Sequence, residues 1–185
     1  MSGMSLAITP LYGAVALLCL WAGGVCALRS SGRKQAAGWI AVAAWFALMI
    51  VLRLGDVEET ARQALRLWFR SRDAYDDRQR LQLPLALATL IGAALLAVIA
   101  RRGWRASAGD TARKLLHIAL VAAAGFLPLY ALRIVSLHIT DTLLYSGPVR
   151  LNWLADGGLT LLAGAAAYIR AFHLPRRRSA PPDFR

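Results

Sequence analysis

The stretch RRGWRASAGDTARK, from Arg101 to Lys114, decides how this chain folds. It sets Arg101, Arg102, Arg105, Arg113 and Lys114 against Asp110 alone. On its N-terminal side the run from Leu81 to Ala100 carries no charge. On its C-terminal side the chain is apolar from Leu115 to Leu132, with His117 the one titratable exception. A basic turn between two uncharged runs of about 20 residues is what two consecutive membrane-crossing helices require, since each must fill about 30 Å of hydrocarbon.

Working outward, three more apolar segments follow the same rule. One runs from about Pro10 to Leu28, and Arg29, Arg33 and Lys34 follow it. The next runs from about Gln35 to Leu52, bounded by Arg53, and the last from about Leu151 to Ile169. The flanking charges, taken in order, read none, basic, mixed, basic, mixed, basic. Basic loops stay in the cytoplasm, so the pattern predicts five spans with the N-terminus outside and the C-terminus inside. A secretory signal would carry its positive charge in front of the first segment rather than behind it. The loop from Arg53 to Arg80 holds seven arginines against six acids, an imperfection that formation of an amphipathic helix offsets.

The expected fold class is an all-α integral membrane protein, a five-span transmembrane helix bundle. Residues 1–173 form a single helical domain, with spans at about 10–28, 35–52, 81–100, 115–135 and 151–169. An amphipathic helix at about 57–72 lies on the outer surface between spans two and three. There Asp56 and Glu59 sit as a capping pair, and Ala61, Ala64, Leu65 and Trp68 share a face. Pro84 falls in the first turn of span three, where proline is tolerated, and Pro128 kinks span four. Helix is expected past span four through Ser136 and His138 toward Asp141, until Ser146-Gly147-Pro148 breaks it. Residues 174–185 form a disordered basic tail. The compartment that fits is the inner membrane of a bacterium, with the lipid bilayer itself as first partner.

Composition narrows function by exclusion. The chain is 58% hydrophobic, with net charge +12. No folded soluble region is left to carry a nucleic-acid module, so the charge belongs to loops held against an anionic leaflet. The basic loop residues Arg101, Arg102, Arg105, Arg113 and Lys114 are expected to meet anionic lipid headgroups. Cys19 and Cys26 lie seven residues apart on one helix face, about 10 Å along the axis, too far for a mutual disulfide. Trp39 and most other tryptophans sit near predicted boundaries, as interfacial anchors do.

Asp156 is the outstanding residue. A carboxylate inside an apolar segment costs about 2.5–3.5 kcal/mol at the bilayer centre unless it is paired. Helical rise puts it about one turn deeper than Arg53 and Arg133, within reach of either side chain. An ion pair of Asp156 with Arg133 or Arg53 is expected, pinning helices together. A catalytic alternative gathers Arg133, His138, Asp141 and Asp156. His138 and Asp141 are three apart on a helix and resemble a histidine oriented by a carboxylate, though two ligands are too few for a metal. His117 and His173 lie at similar depth, so a haem between them is a minor alternative. No cofactor and no metal are predicted.

Small residues recur four apart at Ala88 and Gly92, at Ala119 and Ala123, and at Ala163 and Ala167, the spacing that lets helices approach in lipid. The order of features, with stretches such as Arg-Ile-Val-Ser-Leu-His at 133–138, resembles small multi-pass membrane proteins of high-GC bacterial genomes; no activity comes with that resemblance. The leading expectation is a non-catalytic accessory or assembly subunit, with other membrane-protein subunits as partners. The alternatives are a small membrane-embedded enzyme or transporter acting on a lipid or proton near the outer leaflet, and a b-haem or quinone electron carrier.

Overall fold

A computed structural model describes residues 3–28, 32–55, 57, 60, 63–64, 67, 78–135 and 151–174. Among them there is helix and no strand. Five long helices occur: α1 (Gly3–Leu28), α2 (Arg33–Leu54), α3 (Arg78–Ala106), α4 (Thr111–Val135) and α5 (Leu151–Tyr168). A π-helical turn, Ile169–His173, continues α5 and closes with the Leu174 amide donating to the Ile169 carbonyl at 3.2 Å. Four helices, α1 to α4, contain stretches long and apolar enough to cross a membrane. α5 is shorter, and Asp156 interrupts its apolar run.

α1, α2, α4 and α5 pack into a closed four-helix core: α1 on α2, α2 on α4, α4 on α5, and α5 back on α1. α3 leans on α4 from outside. In the apolar window of α3 only 6% of residues are buried, against 39% in those of α1 and α4. Alanines make up nearly half of the buried apolar set, among them Ala119, Ala122, Ala123, Ala163, Ala166 and Ala167. The large aliphatic side chains of α3, such as Leu90, Ile91 and Ile99, point outward. This distribution suits lipid. Outward leucines gain nothing by moving inside, while small inward residues let backbones approach and gain dispersion contacts.

The helices run past the limits expected from the sequence. α3 begins at Arg78, so Pro84 lies inside it rather than in its first turn. α4 begins at Thr111, which places Arg113 and Lys114 in its first turn instead of in the loop. The reason is local. Gly109 turns the chain with φ +88°, a conformation that costs glycine little. Asp110 then caps the helix, its Oδ1 accepting from the Arg113 amide at 3.1 Å, a contact of the kind that adds about 1 kcal/mol. The Lys114 ammonium sits 5.5 Å from the centre of the Trp104 ring.

Trp39 departs from its expected place. It is fully buried and belongs to the core, where Gly23 of α1 packs against it. Of the expected amphipathic helix only Val57, Thr60, Gln63, Ala64 and Leu67 are described; each is helical and exposed. The rest of that segment, the stretch 136–150 and the tail from Pro175 lie outside the described residues.

α3 stays attached to α4 through a close approach. His117 of α4 donates from Nε2 to the Ala100 carbonyl at 2.9 Å, and its ring occupies the space that a Cβ on Gly103 would need. A Cβ there would lie 2.0 Å from His117 Cε1. The substitution G103A therefore drives the ring off Ala100 and is expected to cost about 1–3 kcal/mol in detergent thermal unfolding. In an H117A background the same change should add almost nothing. A G103A protein as stable as wild type would show that α3 is held by other contacts.

Candidate functional site

One polar cluster is buried where four helices meet. Asp156, on the inward face of α5, is 1% exposed. The Tyr12 hydroxyl of α1 donates to its Oδ1. Arg53, in the last turn of α2, donates from Nη2 to its Oδ2 at 2.5 Å, forming an ion pair. The same Nη2 lies 3.2 Å from the Tyr12 oxygen. Arg53 keeps 16% of its side chain exposed, so the guanidinium reaches inward from the rim while its stem packs at the helix end.

The surroundings are apolar and rigid. Tyr12, Phe46 of α2 and Phe126 of α4 form a triangle with ring centres 5.8–6.0 Å apart, two of the three pairs edge to face. This packing fixes the Tyr12 ring and so the aim of its hydroxyl. Thr160, one turn after Asp156 and also fully buried, donates from Oγ1 to the Asp156 carbonyl at 2.7 Å. That bond satisfies a hydroxyl within its own helix and leaves the carboxylate to the other helices.

The residues expected from the sequence are described in part. Arg53 and Asp156 are brought together. Arg133 lies in α4, but its side chain is outside what is described, as are His138 and Asp141 entirely. His117 faces α3 through Ala100, and the His173 ring packs on Tyr168 with centres 5.3 Å apart. Among the described residues no group of three or more His, Cys, Asp or Glu is placed to hold a metal ion. Cys19 and Cys26 are buried, unoxidised core residues. Arg101, Arg102, Arg105 and Arg113 are exposed around the turn between α3 and α4.

Tyr12 and Thr160 did not stand out in the sequence. The signal for Tyr12 was present: it is a hydroxyl-bearing aromatic inside an otherwise uncharged segment, at the end where Asp156 needed a donor. Comparison with family models, with curated proteins and with solved structures finds no match, so function has to be argued from this geometry alone.

Chemically, the cluster is a pin. Both carboxylate oxygens are engaged, the carboxylate itself is buried, and its donors come from two other helices. Breaking a buried pair by removing one partner costs about 3–5 kcal/mol, because the other charge is stranded. D156N is expected to lose that much in detergent unfolding and to accumulate poorly, and Y12F to lose about 1–3 kcal/mol. The double replacement R53M/D156L, which strands no charge, should recover most of the loss. Wild-type stability in D156N would remove the pin as a structural element.

Proposed function

We propose that this chain is a non-catalytic accessory or assembly subunit of a larger complex in a bacterial inner membrane. It crosses the bilayer five times, with the N-terminus outside and the basic end in the cytoplasm. The charge pattern supports that orientation: Arg33, Lys34, Arg101, Arg102, Arg105, Arg113 and Lys114 all gather at one end of the bundle. With that orientation, α5 and its π-turn make the fifth crossing, made tolerable by the pairing of Asp156.

The observation that carries the assembly role is the fate of the three small-residue pairs. Ala119 with Ala123, and Ala163 with Ala167, are consumed inside the core. Ala88 and Gly92 of α3 are exposed, and a Cβ built on Gly92 meets nothing within 4 Å. A helix held mainly by one neighbour thus turns its close-approach surface away from its own bundle. A transmembrane helix of a partner subunit is the occupant that such a surface fits, since in lipid it gains packing there that acyl chains do not give.

The pin at Asp156 supports the same role. Its carboxylate is spent on holding α1, α2 and α5 in register, which makes the core a rigid platform for α3. Purified at native level in mild detergent, the protein should carry the subunits of one membrane complex in fixed stoichiometry. G92L should abolish that recovery without lowering the thermal stability of the isolated protein, because the new side chain points into open space. A lone monodisperse wild-type species would overturn the assembly role. Loss of a transport or lipid-processing phenotype in H138A, with accumulation intact, would favour the outer-leaflet enzyme or transporter instead.

A further inference from the structure

The buried face of α5 continues past Asp156 as Thr160, Ala163, Ala167 and Arg170, spaced by four and three residues. It therefore carries an acid near one end and a base near the other. Asp156 has Arg53. Arg170, only 3% exposed, has no ion pair among the described residues, and its Nε is buried without a hydrogen-bond partner. A guanidinium so enclosed is costly unless an anion meets it.

The chain has little to offer. Of its ten acids, only Asp110 and Asp183 fall on the basic side of the charge pattern. Asp110 is committed to α4, where it takes the Arg113 amide and lies 3.6 Å from the Arg113 guanidinium. Asp183 belongs to the tail. The exposed arginines around this end instead set up a positive field that draws anions from outside.

One further atom points the same way. The Trp39 Nε1 donor of α2 is also buried without a partner. Register brings it near the level of Arg170. α1 and α5 run parallel, and the Tyr12–Asp156 and Val15–Gly164 contacts place Arg170 level with the stretch of α1 from Trp21 to Cys26. α1 and α2 run antiparallel with Gly23 on Trp39, which puts Trp39 at that stretch as well. The π-turn packs against both α1 and α4 at this layer. π-turns recur at functional sites, because the extra residue re-aims side chains that a regular helix would hold elsewhere.

We propose that Arg170 anchors a site for a phosphate group at the basic end of the bundle, with the Trp39 indole N–H as a neutral donor. A guanidinium fork matches two phosphate oxygens at once, and basic pockets between helices at this depth suit the headgroup of an anionic phospholipid. Free phosphate shares the chemistry and is separable by experiment.

The test is thermal unfolding of the delipidated full-length protein in mild detergent, with dioleoylphosphatidylglycerol, dioleoylphosphatidylcholine or inorganic phosphate added. Phosphatidylglycerol should raise Tm by about 5 °C at a hundredfold excess over Kd, and phosphatidylcholine should not. The rise should vanish in R170Q and shrink in R170K, which keeps the charge and loses the fork. Without lipid, R170Q should be at least as stable as wild type, since it removes an unpaired charge. An equal rise with inorganic phosphate would assign the site to the free ion. A full lipid response in R170Q would place binding on the surface arginines and overturn the proposal. So would an unresponsive wild type beside a responsive D183N, since Asp183 would then be the partner of Arg170. No response from any protein would overturn it as well.

Discussion

A carboxylate set among apolar side chains cannot be left alone, and the arrangement of this bundle follows from that constraint. Asp156 needs donors, the donors come from α1 and α2, and meeting that need fixes the rotation and depth of three helices together. The aromatic triangle of Tyr12, Phe46 and Phe126 adds α4 to the same junction. The rest of the core is mostly alanine and short aliphatic side chains, which pack closely but distinguish poorly between one rotation and another. A single polar junction supplies the specificity that such a core lacks. Buried polar groups have been used this way to fix register in other helical assemblies.

Much of this architecture was legible in the residues. Uncharged runs bounded by arginine and lysine marked the helices. The cost of an isolated Asp156 in lipid pointed to arginines at the ends of neighbouring segments, with Arg53 one of two candidates. The inward faces were not legible, for a physical reason. In water a helix advertises its buried side by contrast with a polar one, whereas in lipid both sides are apolar and the contrast disappears. Trp39 shows the consequence: near a boundary it resembles an interfacial anchor, and only the packing of Gly23 places it in the core. Arg170 was hidden in the same way, because an arginine at the end of an apolar run is ordinarily a topology signal exposed to headgroups. Nothing in the spacing announces that a π-turn holds it inside.

The two ends of α5 are chemically unlike although they lie on one face. Near Asp156 the bundle is closed, its charge neutralised by residues of the same chain. Near Arg170 it is electrostatically incomplete among the described residues, with a buried cation whose Nε has no partner in a strongly positive neighbourhood. α3 is incomplete in a different sense, sterically rather than electrostatically, with its small residues facing away from the core. Among the described residues the first of these is met within the chain and the others are not.

The ion pair also has an order in time. Arg53 and Asp156 are separated by 103 residues, and a ribosome adds about 5–20 residues each second. For several seconds after α2 is made, the carboxylate that Arg53 meets in the finished bundle does not yet exist. The junction of α1, α2 and α5 is therefore completed only once α5 has been made.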